Sequence, residues 1–306
     1  MRPHNDTHIE NRFILSIVLT ALILVAEIIG GIWTGSLSLL SDSAHVFLDL
    51  FALGLSFLAL KISSLPSDDR HSYGWHRLEV IAALINGVTL VIVAGGIFWK
   101  AVERFQSPQP IKSVEMLIIA AIGLVINLVV ALLLGHPEAH EDAGHHHKDL
   151  NLHSAFLHVL GDLLSSIGVI AAAIIISFTG WNWVDPAASI LIGLIILFGA
   201  YRVTRKALHI LNEGVPEGIS LQEISQHMVQ IPGVNSIHDL HVWNICSEHI
   251  ALSAHVVCDG NGSTQPQDMR NQLNHMLMTS FGIQHTTLQL EDHPCRQASS
   301  GCGSSM

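Results

Sequence analysis

Two short segments of the sequence each carry a histidine and an aspartate four residues apart. The first pair is His45 and Asp49, in HVFLDL, and the second is His158 and Asp162, in HVLGDL. In a helix this spacing places both side chains of a pair on one face, about one turn apart. If the two helices pack face to face, two imidazoles and two carboxylates converge. That ligand set predicts a tetrahedral site that suits Zn²⁺.

The chemistry of this ligand set also indicates how a bound ion could be exchanged. Two carboxylates neutralise a divalent cation, and the lack of a thiolate argues against Cu(I) but leaves Cd²⁺, Co²⁺, Fe²⁺ and Ni²⁺ open. Histidine titrates near neutral pH, so protons compete with the metal for the same lone pairs. The alternative is that each pair is only a helix-stabilising hydrogen bond. The repetition of the pair on two separate segments favours the metal site.

The segments that hold these pairs are long and apolar. Of 306 residues, 49% are hydrophobic and 13% are charged, and the mean hydropathy is +0.46. Six runs approach the roughly 20 residues that a membrane-spanning helix needs: 13–33, 37–60, 78–99, 114–134, 155–178 and 184–201. Ionisable groups inside such runs are costly, and they are candidates for function. The chain is therefore predicted to lie in a lipid bilayer.

Composition and charge exclude several classes of protein. A chain this apolar is not a disordered protein, a basic nucleic-acid-binding module or an ordinary cytosolic enzyme. The formal net charge of −11 makes it a poor binder of polyanions, so no nucleic-acid partner is expected, whereas divalent metal ions are plausible partners.

The positive charges around the six runs predict the orientation in the membrane. One side carries nine Lys and Arg: Arg2, Arg12, Lys61, Arg70, Arg77, Lys148, Arg202, Arg205 and Lys206. The other side carries three: Lys100, Arg104 and Lys112. Because positive loops remain in the cytoplasm, both termini are expected there. The polar N-terminus is not a cleavable signal. We expect a multi-pass protein of the bacterial inner (plasma) membrane.

After the last apolar run the pattern changes to that of a small mixed domain. Helical spacing, two alternating segments, a second helix and a third alternating segment follow in order over 219–231, 236–245, 249–257, 267–281 and 285–291. The order αββαβ predicts an α+β domain with helices on one face of a sheet.

The predicted fold class is thus an α-helical membrane protein with six transmembrane helices, followed by a cytoplasmic α+β domain. The expected divisions are a cytoplasmic N-terminal tail, a transmembrane domain, a cytoplasmic domain and a flexible Cys-containing tail: 1–12, 13–206, 207–292 and 293–306.

These features together resemble the cation diffusion facilitator family over about residues 13–292. Supporting stretches are GSLSLLSDSAHVFLD (35–49), HSYGWHRLE (71–79) and WVDPAASI (183–190). Histidine at the first position of both pairs resembles the zinc-transporting branch, close to bacterial zinc/cadmium exporters. The resemblance implies a homodimer, efflux of Zn²⁺ coupled to protons as counter-ion, and a ferredoxin-like cytoplasmic domain.

The loop between the second and third runs is a weaker candidate site. Some members of the family bind a second metal there with one Asp and two His. By position Asp69 (or Asp68) and His71 match, but the second histidine of that pattern falls on Trp75, and His76 comes one residue later. The alternative is a solvated turn.

The loop at 136–150, HPEAHEDAGHHHKDL, is rich in histidine. It is expected to collect metal near the cytoplasmic entrance rather than to form a rigid site, because ordering a mobile loop costs entropy. The collecting histidines are His136, His140, His145, His146 and His147.

The cytoplasmic domain offers a further group of candidate ligands: His238, His255, His285, Glu291, Cys295 and Cys302. Related domains bind zinc with His from the first two strands and a carboxylate that ends the third, and His238, His255 and Glu291 match these positions best. His285 shares a strand face with Glu291, and the two cysteines could close a thiolate site. The alternative is that each is an ordinary surface or core residue.

Isolated polar residues in the apolar runs have structural explanations as well as functional ones. Asp42, one turn before His45, could lie near the metal's way in or could be an interfacial cap. Glu27 could carry protons or lie at a helix interface. Asp185, followed by proline, is expected to begin a helix.

The favoured function is proton-coupled export of Zn²⁺ and Cd²⁺ by a secondary transporter, which is not an enzyme. The alternatives are transport of another divalent cation such as Co²⁺ or Fe²⁺, or a membrane-anchored metal sensor. An intramembrane metalloenzyme is disfavoured, because four protein ligands leave no open position and no HExxH motif occurs.

Overall fold

The computed structural model describes residues 6–134, 147–247, 249–259 and 265–293, with side chains throughout except at 6–14, 16, 131, 133, 134 and 147–162. Its first six helices are α1 (Asp6–Thr34), α2 (Leu37–Ser63), α3 (Arg77–Gln106), α4 (Ser113–Leu134), α5 (His147–Thr179) and α6 (Val184–Leu211). The remaining elements are α7 (Leu221–Val229), β1 (Val234–Asn244), β2 (Ile250–Cys258), α8 (Pro266–Phe281) and β3 (His285–Glu291).

Five helices in the described ranges are long and apolar enough to cross a membrane, namely α1, α2, α3, α4 and α6. In α5 the described side chains cover a shorter apolar stretch, Leu163–Thr179. The chain is therefore a helical membrane-type domain followed by a small α/β domain.

Several helices are longer than the apolar runs that predict them. α1 begins at Asp6, before the run at 13–33, and α6 continues to Leu211. α5 begins at His147, so residues 147–150 are helical rather than part of the predicted loop. Hydropathy marks the stretch that needs lipid, whereas backbone hydrogen bonding continues a helix beyond it. The predicted helices were therefore too short at their ends.

The described residues fall into two compact units. One comprises Met1–Leu55 and Ile85–Arg202, and the other comprises Ser56–Leu84 and Val203–Met306. The second unit therefore groups the connection between α2 and α3 with the small domain.

Apolar side chains from five helices form the core of the first unit. The buried members come from α2 to α6: Leu39, Ala94, Ile97, Met116, Ala120, Val169, Ala172, Ala173, Ile192 and Ile196. Outside this core, large apolar side chains point outward, and Phe178 is 87% exposed. Such an apolar exterior is typical of helices whose outer face meets lipid. At Gly30 an added Cβ would lie 2.5 Å from Ile119 Cδ1, so glycine permits α1 and α4 to approach closely.

Asp185 of α6 fixes the beginning of α2. The side chain is fully buried, and its carboxylate accepts hydrogen bonds from Ser36 Oγ, Ser38 Oγ and Leu37 N at 2.7 Å each and from Ser38 N at 3.0 Å. Ser36 Oγ in turn accepts from Leu39 N at 3.1 Å. These bonds satisfy amides that have no partner inside the helix. Asp185 begins α6, as expected, but its side chain caps a different helix.

The small domain folds around a three-stranded sheet in the predicted αββαβ order. The strand order is β1-β2-β3, with β1 and β2 antiparallel and β2 and β3 parallel. α7 and α8 contribute Ile224, Met228, Leu273 and Leu277 to a core that the sheet closes with Leu252, Ala254 and Val256. The sheet therefore buries one face under the helices and leaves the opposite face for other side chains.

Replacing Asp185 by alanine should strongly destabilise the membrane domain. The change leaves two backbone amides buried without their acceptor, and only one of the two serine hydroxyls can then donate to the other. Each donor left unsatisfied costs about 1–3 kcal/mol. Asp185→Asn keeps one acceptor oxygen and should cost less. The measurement is thermal unfolding of detergent-purified protein followed by tryptophan fluorescence, with the exposed Ser177→Ala as control. An unchanged transition in Asp185→Ala would contradict this role.

Candidate metal sites

α2 carries the first His–Asp pair on a partly buried face. The distance from His45 Nε2 to Asp49 Oδ2 is 3.8 Å, and the two side chains are 12% and 27% exposed. That separation is beyond hydrogen-bonding distance for these two atoms. Imidazole and carboxylate thus lie side by side on one face of α2.

A buried contact ties the same face of α2 to α5. Asp42, Ser165 and Ser166 are each at most 2% exposed. Ser165 Oγ donates to Asp42 Oδ1, and Ser166 Oγ donates to Asp42 Oδ2 at 3.3 Å. Asp42 therefore lies in a helix–helix contact rather than at an interfacial cap. His45 and Asp49 follow it by three and seven residues, on the same side of α2.

The second pair lies on the backbone of α5, but the side chains of His158 and Asp162 fall outside the described residues. Position 162 precedes Ser165 and Ser166 by three and four residues, and position 158 precedes them by seven and eight. Helical periodicity puts these positions on the side of α5 that carries the two serines. The convergence of both pairs remains a prediction.

Glu27 is a third buried carboxyl group in the membrane domain, after Asp185 and Asp42. It is 1% exposed, and neither of its carboxylate oxygens has a hydrogen-bond partner among the described residues. It lies against α4, where a Cβ added at Gly123 would be 2.5 Å from Glu27 Oε1. Its two interpretations, a proton carrier and an interface residue, both fit this position.

Three of the predicted ligands of the small domain come together. His238 Nε2 is 3.1 Å from Glu291 Oε2, and His255 Nδ1 is 2.7 Å from Glu291 Oε1. The two imidazole centroids are 5.0 Å apart. One ligand atom from each residue lies within 4.8 Å of the others. Two nitrogens and a carboxylate oxygen form a donor set that suits Zn²⁺.

Strand register explains how these three side chains meet. His238 of β1 pairs with His255 of β2, and Glu291 of β3 pairs with Val257, two residues further along β2. His255 points away from the buried Ala254 and Val256, and so lies on the face opposite the helices. The site is therefore built on three adjacent strands of one sheet.

An irregularity in β1 brings a further carboxylate to the edge of this cluster, and the sequence analysis missed it. The pairing with β2 shifts between His238 and His241, where Asp239 has a φ of 51°. Asp239 Oδ2 is 3.8 Å from His255 Nε2, and Asp239 Oδ1 is 3.0 Å from His241 Nε2. A bulge re-aims side chains in this way.

The other predicted ligands of this domain do not join the cluster. His285 lies apart, edge-on to Tyr73 with ring centroids 5.9 Å apart. Cys295 and Cys302 lie outside the described residues. So do four of the five loop histidines, His136, His140, His145 and His146, together with the side chain of His147 at the first position of α5.

In the connection between α2 and α3 the structure pairs His71 with Asp68 instead of Asp69. Asp68 Oδ1 is 3.0 Å from His71 Nδ1 and accepts from His71 N at 2.6 Å and Arg70 N at 2.9 Å. Desolvation is the largest single effect and raises the pKa of Asp68, but the hydrogen bonds from Arg70 and His71 together outweigh it and hold that pKa below its usual value. The His71 ring also lies 3.7 Å from that of Trp75. In this local turn the structure brings together two potential ligands, Asp68 and His71.

Comparison with protein families gives matches over most of the chain. The model of the cation efflux transmembrane domain matches residues 13–212. The model of the cation efflux protein cytoplasmic domain matches residues 216–293.

Curated proteins from several bacteria are similar over nearly the whole chain. The metal cation efflux system protein CzcD of Cupriavidus metallidurans is 39% identical, covering 93% of this chain and 87% of its own. The zinc transporter ZitB of Pectobacterium atrosepticum is 36% identical (95% and 90%). The cadmium, cobalt and zinc/H⁺–K⁺ antiporter of Bacillus subtilis is also 36% identical (94% and 91%).

Among solved structures, the metal-bound C-terminal domain of the CzcD transporter from Cupriavidus metallidurans is 36% identical. It covers 24% of this chain and 99% of its own, with a TM-score of 0.22.

Replacing Glu291 by glutamine should remove one bound zinc per chain while leaving the domain folded. The amide keeps the shape of the carboxylate but loses the charge that a divalent cation needs. Zinc per chain is measured by elemental analysis after dialysis of the full-length protein, with the exposed Glu217→Gln as matched control. Equal zinc content in the two variants would exclude Glu291 as a ligand.

In the parent protein, zinc affinity should fall as the pH is lowered, since both imidazoles must be deprotonated to bind.

Proposed function

Because the chain belongs to the cation efflux family, whose members are transporters and not enzymes, we propose that it exports Zn²⁺, and also Cd²⁺, from the cytoplasm in exchange for protons. The family is the cation diffusion facilitator family that the sequence motifs resemble. The proposed transport site consists of His45, Asp49, His158 and Asp162.

The observation that carries this site is the buried contact of Asp42 with Ser165. If successive helices cross the membrane in alternating directions, α2 and α5 are antiparallel. On α2, His45 and Asp49 come three and seven residues after Asp42. On α5, positions 162 and 158 come three and seven residues before Ser165. Each histidine of one helix then lies level with an aspartate of the other.

Such a site has the chemistry that transport needs. Two carboxylates cancel the charge of the ion, so the loaded site can be exposed alternately to either side without carrying net charge through lipid. Protons arriving from outside compete for the imidazole and carboxylate lone pairs and displace the metal. A site bearing protons instead of metal can then return, which couples efflux to the proton gradient.

The names of the relatives support this choice of ions. CzcD is named for metal cation efflux, ZitB for zinc, and the Bacillus subtilis protein for cadmium, cobalt and zinc exchanged with H⁺ and K⁺. A donor set of nitrogen and oxygen atoms accepts Zn²⁺ and Cd²⁺. The same donors also bind Co²⁺ and Fe²⁺, so transport of one of these ions as the main substrate is the alternative.

We further propose that α5 is the sixth spanning helix and that both termini lie in the cytoplasm of a bacterial cell. The small domain, with its βαβ crossover and paired helices, is taken as ferredoxin-like and as the contact between two subunits. Zinc held by His238, His255 and Glu291 would favour the transport-ready dimer, while the histidine-rich loop delivers ions to the entrance.

The experiment that tests this function is metal flux into sealed proteoliposomes across an imposed pH gradient. Zn²⁺, Cd²⁺, Co²⁺ and Mn²⁺ are compared for the parent protein and for Asp49→Asn, which keeps the size of the side chain but removes its charge. We expect gradient-dependent Zn²⁺ and Cd²⁺ flux, much slower Mn²⁺ flux, and no Zn²⁺ flux above protein-free liposomes in the variant.

The matched control is Asp259→Asn, an exposed aspartate of the small domain, which should transport at the parental rate. Parental Zn²⁺ flux in Asp49→Asn would contradict the site. Tight metal binding without flux of any ion would instead favour the sensor.

A further inference from the structure

A second cluster of metal-binding side chains lies in the unit that contains the small domain. It consists of His76, Cys246 and His249, and one ligand atom from each lies within 4.8 Å of the others. Cys246 Sγ is 3.1 Å from His249 Nδ1. The rings of His76 and His249 lie 4.9 Å apart and are inclined by 32°. Two imidazoles and one thiol thus share a space about the size of a coordination sphere.

Two separate segments build this cluster. Cys246 and His249 lie in the connection between β1 and β2. Ile245 N donates a hydrogen bond to His249 O, 2.8 Å long, across this connection. His76 is the last residue before α3. Cys246 is only 2% exposed, while both histidines are half-buried. The thiol is therefore held in place rather than presented to solvent.

A cavity opens beside the cluster. Its volume is ≈ 300 Å³, and its lining includes His76, His249, His285 and Tyr73. The rest of the lining is serine, glycine and apolar residues, without any Lys, Arg, Asp or Glu among the described residues. An ion could reach the cluster through this cavity together with water, which supplies a further ligand.

We propose that His76, Cys246 and His249 bind Zn²⁺, or another thiophilic divalent cation, with the fourth coordination position open to the cavity. Zinc bonds of about 2.0–2.1 Å to nitrogen and about 2.3 Å to sulfur require only small side-chain rotations from the present spacing. On binding, the Cys246 thiol transfers its proton to solvent, and the thiolate forms the bond to the metal. Affinity therefore rises with pH.

This site differs in kind from the proposed transport site. It contains a thiolate and no carboxylate, so it retains soft cations more firmly than an exchange site can. Metal here links the connection between α2 and α3 to the turn after β1, two segments far apart in the chain. The proposal does not rest on transport activity. The competing explanation is a metal-free hydrogen bond between Cys246 and His249.

The test uses cobalt as a spectroscopic probe of the full-length protein. The sequence contains four cysteines, and the triple variant Cys258→Ala, Cys295→Ala, Cys302→Ala leaves Cys246 as the only thiol. Titrating this protein with Co²⁺ should give the near-ultraviolet charge-transfer absorption of a thiolate–cobalt bond, with the visible bands of tetrahedral Co²⁺. Zn²⁺ should displace it.

Matched variants distinguish a metal site from a metal-free hydrogen bond between Cys246 and His249. Adding Cys246→Ser should abolish the absorption, and His249→Ala or His76→Ala should weaken Co²⁺ affinity by at least about tenfold. Cys246→Ser combined with Cys295→Ala and Cys302→Ala, which retains Cys258, should also lack the absorption, since no histidine joins Cys258 in a metal-binding cluster of the described residues.

Asp49→Asn separates this proposal from that of transport: it should lose flux but keep the thiolate absorption. A folded single-thiol protein without that absorption would overturn the proposal, as would unchanged affinity in both histidine variants. Gel filtration verifies folding. If the triple variant is misfolded, the Cys295→Ala, Cys302→Ala protein is compared with and without Cys246→Ser, and this comparison carries the same decision.

Discussion

The arrangement of the membrane domain depends on how its buried carboxylates are satisfied. A charged carboxylate among apolar helices needs hydrogen-bond donors or a cation, because lipid and close-packed side chains offer neither. Among the described residues Glu27 is the exception, since neither of its oxygens has a hydrogen-bond partner there. Asp185 takes the free amides and hydroxyls at the start of α2, and Asp42 takes the hydroxyls of Ser165 and Ser166. α2 is thereby held at its first turn by α6 and at its second by α5. These two contacts orient the face that carries His45 and Asp49.

The sites proposed along the chain differ in donor chemistry in a way that matches what each is proposed to do. The transport site joins imidazole to carboxylate, which protons can displace near neutral pH. The sheet site adds a single carboxylate to two imidazoles on three adjacent strands, a rigid support suited to retaining zinc. The cluster at His76 replaces carboxylate with thiolate. On these proposals, rapid exchange belongs to the membrane domain, and retention belongs to the unit that contains the small domain.

Local sequence periodicity was sufficient to predict much of the fold and part of the candidate sites. The i, i+4 pairs and the order of the small domain's helices and strands follow from regular helix and strand geometry. The grouping of His238, His255 and Glu291 was instead implied by the resemblance to related cytoplasmic domains. The ends of the helices were harder to predict, because α5 and α6 continue through polar residues once their backbone hydrogen bonds are established. The cap made by Asp185 and the cluster of His76 with Cys246 required knowledge of which distant segments meet. Cys246 and His249 have metal-ligand spacing, but their partner lies on another segment altogether.

We expect zinc in the membrane domain to be held by nitrogen and oxygen ligands from α2 and α5. X-ray absorption at the zinc edge identifies these ligands in dialysed protein carrying Glu291→Gln, Cys246→Ser, Cys295→Ala and Cys302→Ala, so that the other two proposed sites and the candidate thiolates of the C-terminal tail are removed. We expect one zinc per chain with four nitrogen or oxygen neighbours at about 2.0–2.1 Å, two of them imidazoles, and loss of that zinc when Asp49→Asn is added. A sulfur neighbour at about 2.3 Å, or zinc that persists in the Asp49→Asn protein, would contradict it.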